Sequence, residues 1–240
     1  MPAELIDLKA HIRERLVHTA LRLFAEKGID GVSMRAINVA AGSKNKSAVH
    51  YHFGNKLGIL EAIFGMLHEV LAPLFDDLLD RIESKAETEE VSVPEILLTL
   101  YFPFFIIHSA GGFGPYVVKL VSKMMLDPTP EYQRIFNSHF HPYINRIYVL
   151  MEAQLPEKSE QHLRFQLIHS LMATITGIAA IEIMDSTPLG DVRFDNDVEM
   201  LLSYVDYITG GVIANESCVN QIDLNFWVEY YEDTQSMILG

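Results

Sequence analysis

Between Ser33 and Lys56 the chain reads SMRAINVAAGSKNKSAVHYHFGNK, and no other stretch narrows the possible folds as much. Ser33 offers an N-cap, and Met34, Ile37, Val39 and Ala40 form a short apolar-faced helix that ends at Gly42. A second short helix is expected from Ser43 or Asn45, either of which can cap it. It turns Ala48, Val49 and Phe53 inward and leaves Lys44, Lys46, Ser47, His50 and Tyr51 outward, before Gly54-Asn55 closes it. Two short helices around a glycine turn, the second polar and basic, form the helix-turn-helix pattern, whose second helix can enter the major groove. Lys44, Lys46 and Lys56 would bring positive charge to phosphates, and the hydroxyls of Ser33, Ser47 and Tyr51 could hydrogen-bond to them. The plain alternative for such spacing is a solvated helical hairpin inside a bundle.

The flanking sequence is helical too. Ile12, Leu16, Ala20, Leu23 and Phe24 recur every three or four residues, giving a helix over Leu8 to Lys27 that Gly28 stops. From Lys56 a longer helix carries Leu57, Leu60, Ile63, Phe64, Leu67 and Leu71 inward, with a kink or break expected at Pro73. Residues 84–92 read as a polar loop. Glu95 to His108 is apolar nearly all round and should lie at the centre of a larger domain, ending in the glycine-rich break Ser109 to Pro115. Further helices are expected over Tyr116–Leu126, over Glu131–Gln154 with a bend at Pro142, over Ser159–Met184 and over Asp197–Thr209. The tail from Gly211 to Gly240 is acidic and aromatic and gives no clear periodicity. No β alternation or internal repeat is evident, so the expected class is all-α with nine or ten helices: a DNA-binding domain over 1–56 and a helical ligand-binding and dimerisation domain over 57–240.

Charge sharpens this reading. The net charge of −14 alone would argue against a nucleic-acid partner. However, residues 1–60 hold nine Lys/Arg against five Asp/Glu, whereas residues 61–240 hold nine against 27. A head of +4 on a body of −18 lets only the head approach phosphate. The single cysteine, Cys218, excludes an intramolecular disulfide framework and fits a reducing compartment. The N-terminus lacks the basic start and apolar block of a signal peptide, and apolar runs such as Leu97–Ile107 and Leu171–Ile181 fall short of a membrane span. A cytoplasmic protein is expected.

The N-terminal motifs resemble the DNA-binding domain of the TetR family of transcriptional regulators over residues about 13–65. The resemblance rests on Leu23-Phe24-Ala25-Glu26-Lys27-Gly28, then Val32-Ser33-Met34-Arg35-Ala36-Ile37, then Ala41-Gly42. It ends with Ala48-Val49-His50-Tyr51-His52-Phe53-Gly54-Asn55-Lys56. One departure is visible: eight residues separate Gly42 from Tyr51, where the common family pattern has seven, so the start of the recognition helix is shifted. The resemblance implies a homodimer that binds double-stranded operator DNA through Ser33, Arg35, Lys44, Asn45, Lys46, Ser47, His50, Tyr51, His52 and Lys56. It further implies a repressor released when a small molecule binds the C-terminal domain, with dimerisation through helices near 159–184 and 197–209.

The body is rich in aromatic residues and methionine. Phe102, Phe105, Tyr116, Met124, Phe136, Phe140 and Met172 could line an apolar cavity, joined by Phe113, Met125, Tyr143 and Phe165, with His108 and His169 as polar anchors. Each of these residues, taken singly, is better explained as core. Such a lining suits a mostly apolar effector. Metal sites are not expected, because His50-x-His52 and His139-x-His141 place their rings on opposite sides of a helix. No cofactor is expected. Gly111-Gly-Phe-Gly114 follows an apolar helix, not a strand, and reads as a hinge. An all-α enzyme would need convergent acid–base groups, and the sequence offers only scattered histidines and no nucleophile motif.

Overall fold

The computed structural model describes the backbone of residues 3–45 and 47–214 and of Asn225, Val228 and Tyr231, with side chains from His11 onward. The expected tail lies almost wholly outside the described residues. Among the described residues every element is helical apart from one isolated bridge, Thr187 to Gly190.

Helix α1 (Ala3–Lys27) buries Leu16, Val17, Ala20, Leu21 and Phe24 along one stripe. It stops where expected, because Gly28 takes φ +77°, a left-handed conformation that glycine adopts at no steric cost. Helices α2 (Met34–Ala40) and α3 (Ala48–Phe53) follow, and then α4 (Lys56–Ala86) runs out of this head into the body. The body comprises α5 (Val93–Ser109), α6 (Gly114–Leu126), α7 (Pro130–Gln154), α8 (Glu160–Ala179) and α9 (Asp197–Ile213). One continuous apolar core connects head and body, so the two are not separate globules.

The all-round apolar α5 is the axis of the body, packed against α4, α6, α7, α8 and α9. It starts at a capping box in which Ser92 and Glu95 each satisfy the other's backbone or side chain. The fully buried Tyr101 donates its hydroxyl to Ser170 Oγ at 2.7 Å, tying α5 to α8. Burial pushes this phenol up to about 12, so it remains a donor.

Several boundaries differ from the sequence expectations, each for a local reason. α4 shows no break at Pro73, and α7 runs through Pro142 to Gln154, the extent expected. Both prolines are solvent-exposed, so water can satisfy the carbonyls that lose a donor. α4 also continues to Ala86, into the stretch expected to be loop. α8 ends at Ala179 and is followed by a 3₁₀ segment, Ile181–Ser186, none of whose residues is buried to hold an α-helix in place. α9 passes through Gly210 and Gly211 to Ile213, because the buried Ile208 and Val212 outweigh the roughly 1 kcal/mol that each glycine costs a helix.

The membrane expectation also needs correction. α4 is long and apolar enough, by length and composition, to cross a bilayer. Its two faces explain this: Ile59, Leu60, Ile63, Phe64, Leu67, Leu71, Phe75 and Leu79 face the protein core, while Glu61 and Glu69 are exposed.

Candidate nucleic-acid interface

The helix-turn-helix is held by three small polar contacts and a glycine turn. Ser33 caps α2, its Oγ accepting from Ala36 N at 3.1 Å. Gly42, at φ +62°, reverses the chain after α2. Asn45 Oδ1 accepts from Ser47 N at 2.9 Å, and Asn38 Oδ1 accepts from Val49 N at 3.1 Å. That last bond is buried and clamps the start of α3 onto α2, with Asn38 only 2 % exposed. α3 therefore begins at Ala48, later than Ser43 or Asn45. Asn45 serves as a turn former instead of a cap, and the additional residue in this segment lies ahead of the helix.

On the outer face, Ser33, Arg35, Lys44, Asn45, Ser47, His50 and Tyr51 are exposed together. Tyr51 is 69 % exposed and meets His52 edge to face, with ring centroids 5.0 Å apart. His50 Nδ1 lies 2.9 Å from Gly54 O at the C-terminal end of α3. His52 is half-buried and lines an open groove of about 720 Å³ with Arg13, Phe53 and Glu61. Arg13 stacks over the Phe53 ring at 5.3 Å. Lys46 lies outside the described residues. Lys56 is turned inward: its Nζ donates to Ile29 O at 2.9 Å and approaches Asp30 Oδ1 at 3.9 Å, closing the turn between α1 and α2.

The head is fastened to the body at three places that the sequence did not reveal. Tyr132 on α7 donates its hydroxyl to Asp30 Oδ1 at 2.9 Å. Burial and then this carboxylate push the Tyr132 phenol up to about 12. His18 on α1 packs against Phe113 beside α6, ring centroids 4.3 Å apart, and Lys123 donates to Glu26 O at 3.3 Å. Long-range pairs of this kind leave no periodic signal in a sequence.

The thirteen residues expected to line an effector site are dispersed. Phe136 and Phe140 border a cavity of only about 10 Å³ with Phe75, Phe104, Tyr143 and Leu171. Met124 and Phe105 are buried core. Phe102 lines a separate groove of about 290 Å³ between α4 and α5. His108 is near Lys119 and Glu182, its pKa lowered first by burial and then by the lysine. Tyr116 and Met172 are half-buried, and His169 faces a surface groove with Phe165 and Tyr207. Among the described residues no group of three or more metal-ligating side chains converges.

Residues 16–63 match the profile of the family described as bacterial regulatory proteins, tetR family. No curated protein matches the sequence. Among solved structures, an HlyIIR mutant with residues 170–185 substituted by alanine is 13% identical over 82% of this chain and 94% of its own, with a TM-score of 0.54. NalD, the secondary repressor of the MexAB-OprM multidrug efflux pump in Pseudomonas aeruginosa, is 21% identical over 85% of this chain and 97% of its own, with a TM-score of 0.50. These similarities extend the fold correspondence along most of the chain, although at such identities they speak to fold alone. The helix-turn-helix, its exposed polar face and the matched profile together show that residues 16–63 are similar to the helix-turn-helix region of the bacterial regulatory proteins of the tetR family.

Proposed function

We propose that the chain is a homodimeric repressor that binds a specific operator and is released when a mostly apolar small molecule enters its body. The observation that carries this reading is the exposed polar face of α3 on the one positively charged part of an otherwise acidic chain. Residues 1–56 serve as the DNA-binding unit and residues 57–240 as the effector and dimer unit, with α4 shared between them. Ser33, Arg35, Lys44, Asn45, Lys46, Ser47, His50, Tyr51 and His52 form the DNA-contacting set, while Lys56 acts through the turn that it braces. Its site of action is the cytoplasm, where the operator lies.

Dimerisation is supported by the outer faces of α8 and α9. Phe165, Ile168, Val198, Leu202 and Tyr207 are each at least 42 % exposed there, apolar surface of the kind a second copy would cover. Two heads would then meet successive major grooves, about 34–36 Å or a multiple apart.

The effector reading is supported by the aromatic cavity among α4, α5, α6, α7 and α8. At about 10 Å³ it is at the lower limit for a single water, and its lining is apolar, so an effector must select an expanded minor state. Its effect on DNA affinity is bounded by its differential affinity for the two states.

Gel-shift titration against the DNA upstream of the chain's own gene tests the reading. A specific, salt-sensitive shift that Tyr51→Ala and Lys46→Ala weaken is expected. No specific shift at moderate salt, with both variants behaving like the parent, would overturn it. A thermal-shift screen of acyl, aromatic and cationic compounds tests the effector: apolar compounds should raise the melting temperature and weaken the shift.

A further inference from the structure

His50 occupies the middle of the exposed face of α3, and its ring is not free to choose its tautomer. Nδ1 lies 2.9 Å from the carbonyl oxygen of Gly54. A carbonyl oxygen only accepts, so Nδ1 must carry a hydrogen. In the neutral ring the remaining nitrogen, Nε2, is then a bare lone pair directed away from that bond. Gly54 itself is held by its N–H to His50 O at 2.9 Å, so the loop and the ring fix each other.

This arrangement separates two roles that a histidine on a recognition helix could have. A phosphate oxygen is an acceptor, and an acceptor nitrogen cannot bond to it. In the major groove the base-edge donors are the exocyclic amino groups, adenine N6 and cytosine N4; guanine N7 and O6 and thymine O4 are acceptors. Resting on the DNA-binding reading above, we infer that His50 is a specificity-determining residue whose Nε2 accepts from the amino group of an adenine or cytosine. It therefore selects amino over keto bases at one position of each half-site. The surrounding hydroxyls and lysines set register on the backbone, and this nitrogen reads sequence.

The test is selection of binding sites by the full chain from a random duplex library, run in parallel on the parent, His50→Ala and His50→Arg. The parent motif should contain a position restricted to adenine or cytosine, and placing guanine or thymine there should weaken binding by roughly tenfold. His50→Ala should flatten that position alone, keeping the rest of the motif, the salt dependence and the melting temperature. His50→Arg should convert it to guanine, the base that arginine's paired donors match. Nitrogen-15 spectra of the imidazole should show the hydrogen on Nδ1. A parent motif that His50→Ala leaves unchanged, or whose affected position prefers a keto base, overturns the inference and leaves the regulator reading intact. A parent that enriches no motif overturns both.

Discussion

Replacing Asn38 tests whether the helix-turn-helix is set by one buried hydrogen bond. Asn38 Oδ1 is 3.1 Å from Val49 N, and the two residues are 2 % and 0 % exposed, so no water can substitute. Asn38→Ala leaves the Val49 N–H buried without its acceptor, a loss of about 1–3 kcal/mol. At about 2–4 °C per kcal/mol for a chain of this size, the melting temperature should fall by roughly 2–12 °C. Asn38→Leu separates bonding from packing. Leucine restores volume but offers no acceptor, so it should be about as damaging as alanine. Melting followed by circular dichroism gives the shift, and amide exchange at Val49 should rise in both variants. An Asn38→Leu protein that melts within a degree of the parent would refute the argument, because the site would then be a matter of filling space.

Other outcomes follow from contacts elsewhere. Glu95 is held down from its ordinary 4.5 to about 2, first by Lys85 and then by the backbone and hydroxyl of Ser92. Its contribution is thus present above about pH 4.5 and lost as pH falls from 4.5 towards 2. Glu95→Gln should remove this acid-dependent component, about 1 kcal/mol after allowing for the solvent screening of a side chain 40% exposed, as read from melting temperatures between pH 3 and 7. Tyr132→Phe removes the hydroxyl held by Asp30 and should speed amide exchange in the turn at residues 28–32 while sparing the Val49 amide; unchanged exchange in that turn would show that α7 does not restrain it. Ile168→Glu combined with Leu202→Glu places charges on the exposed apolar surface of α8 and α9, and sedimentation should then report a monomer with weaker operator binding. A double variant that still sediments as a dimer would place the interface elsewhere.

Much of the head was legible because its punctuation is local. Gly28, Gly42 and Gly54 all take positive φ, and Ser33 caps α2 through its own third neighbour, so each signal and its consequence lie within a few residues. Asn38 was not legible. Its neighbours Ile37 and Val39 suggest only an amphipathic turn, and its partner is eleven residues away. Lys56 carries a charge that reads as available to phosphate, yet its ammonium is committed to the carbonyls of Ile29 and Asp30. In the body, composition could not separate a pocket from a core. Phe136 and Met124 have the same apolar character, but one borders the small cavity and the other is sealed among neighbours. The end of α9 was misplaced at its two glycines for a related reason. Whether a broken backbone bond matters depends on which face meets water, and that is decided only once the helices pack.

The unbroken run of α4 through Pro73 has a mechanical consequence. Thirty-one residues of α-helix span about 46 Å, with one end beside α3 in the head and the other at the exposed far side of the body. A tilt of about 5° about one end would sweep the other by roughly 4 Å, more than the 3.4 Å step between stacked base pairs. On the proposed reading, a subtle repacking around the aromatic cavity would be enough to carry α3 out of step with a DNA groove.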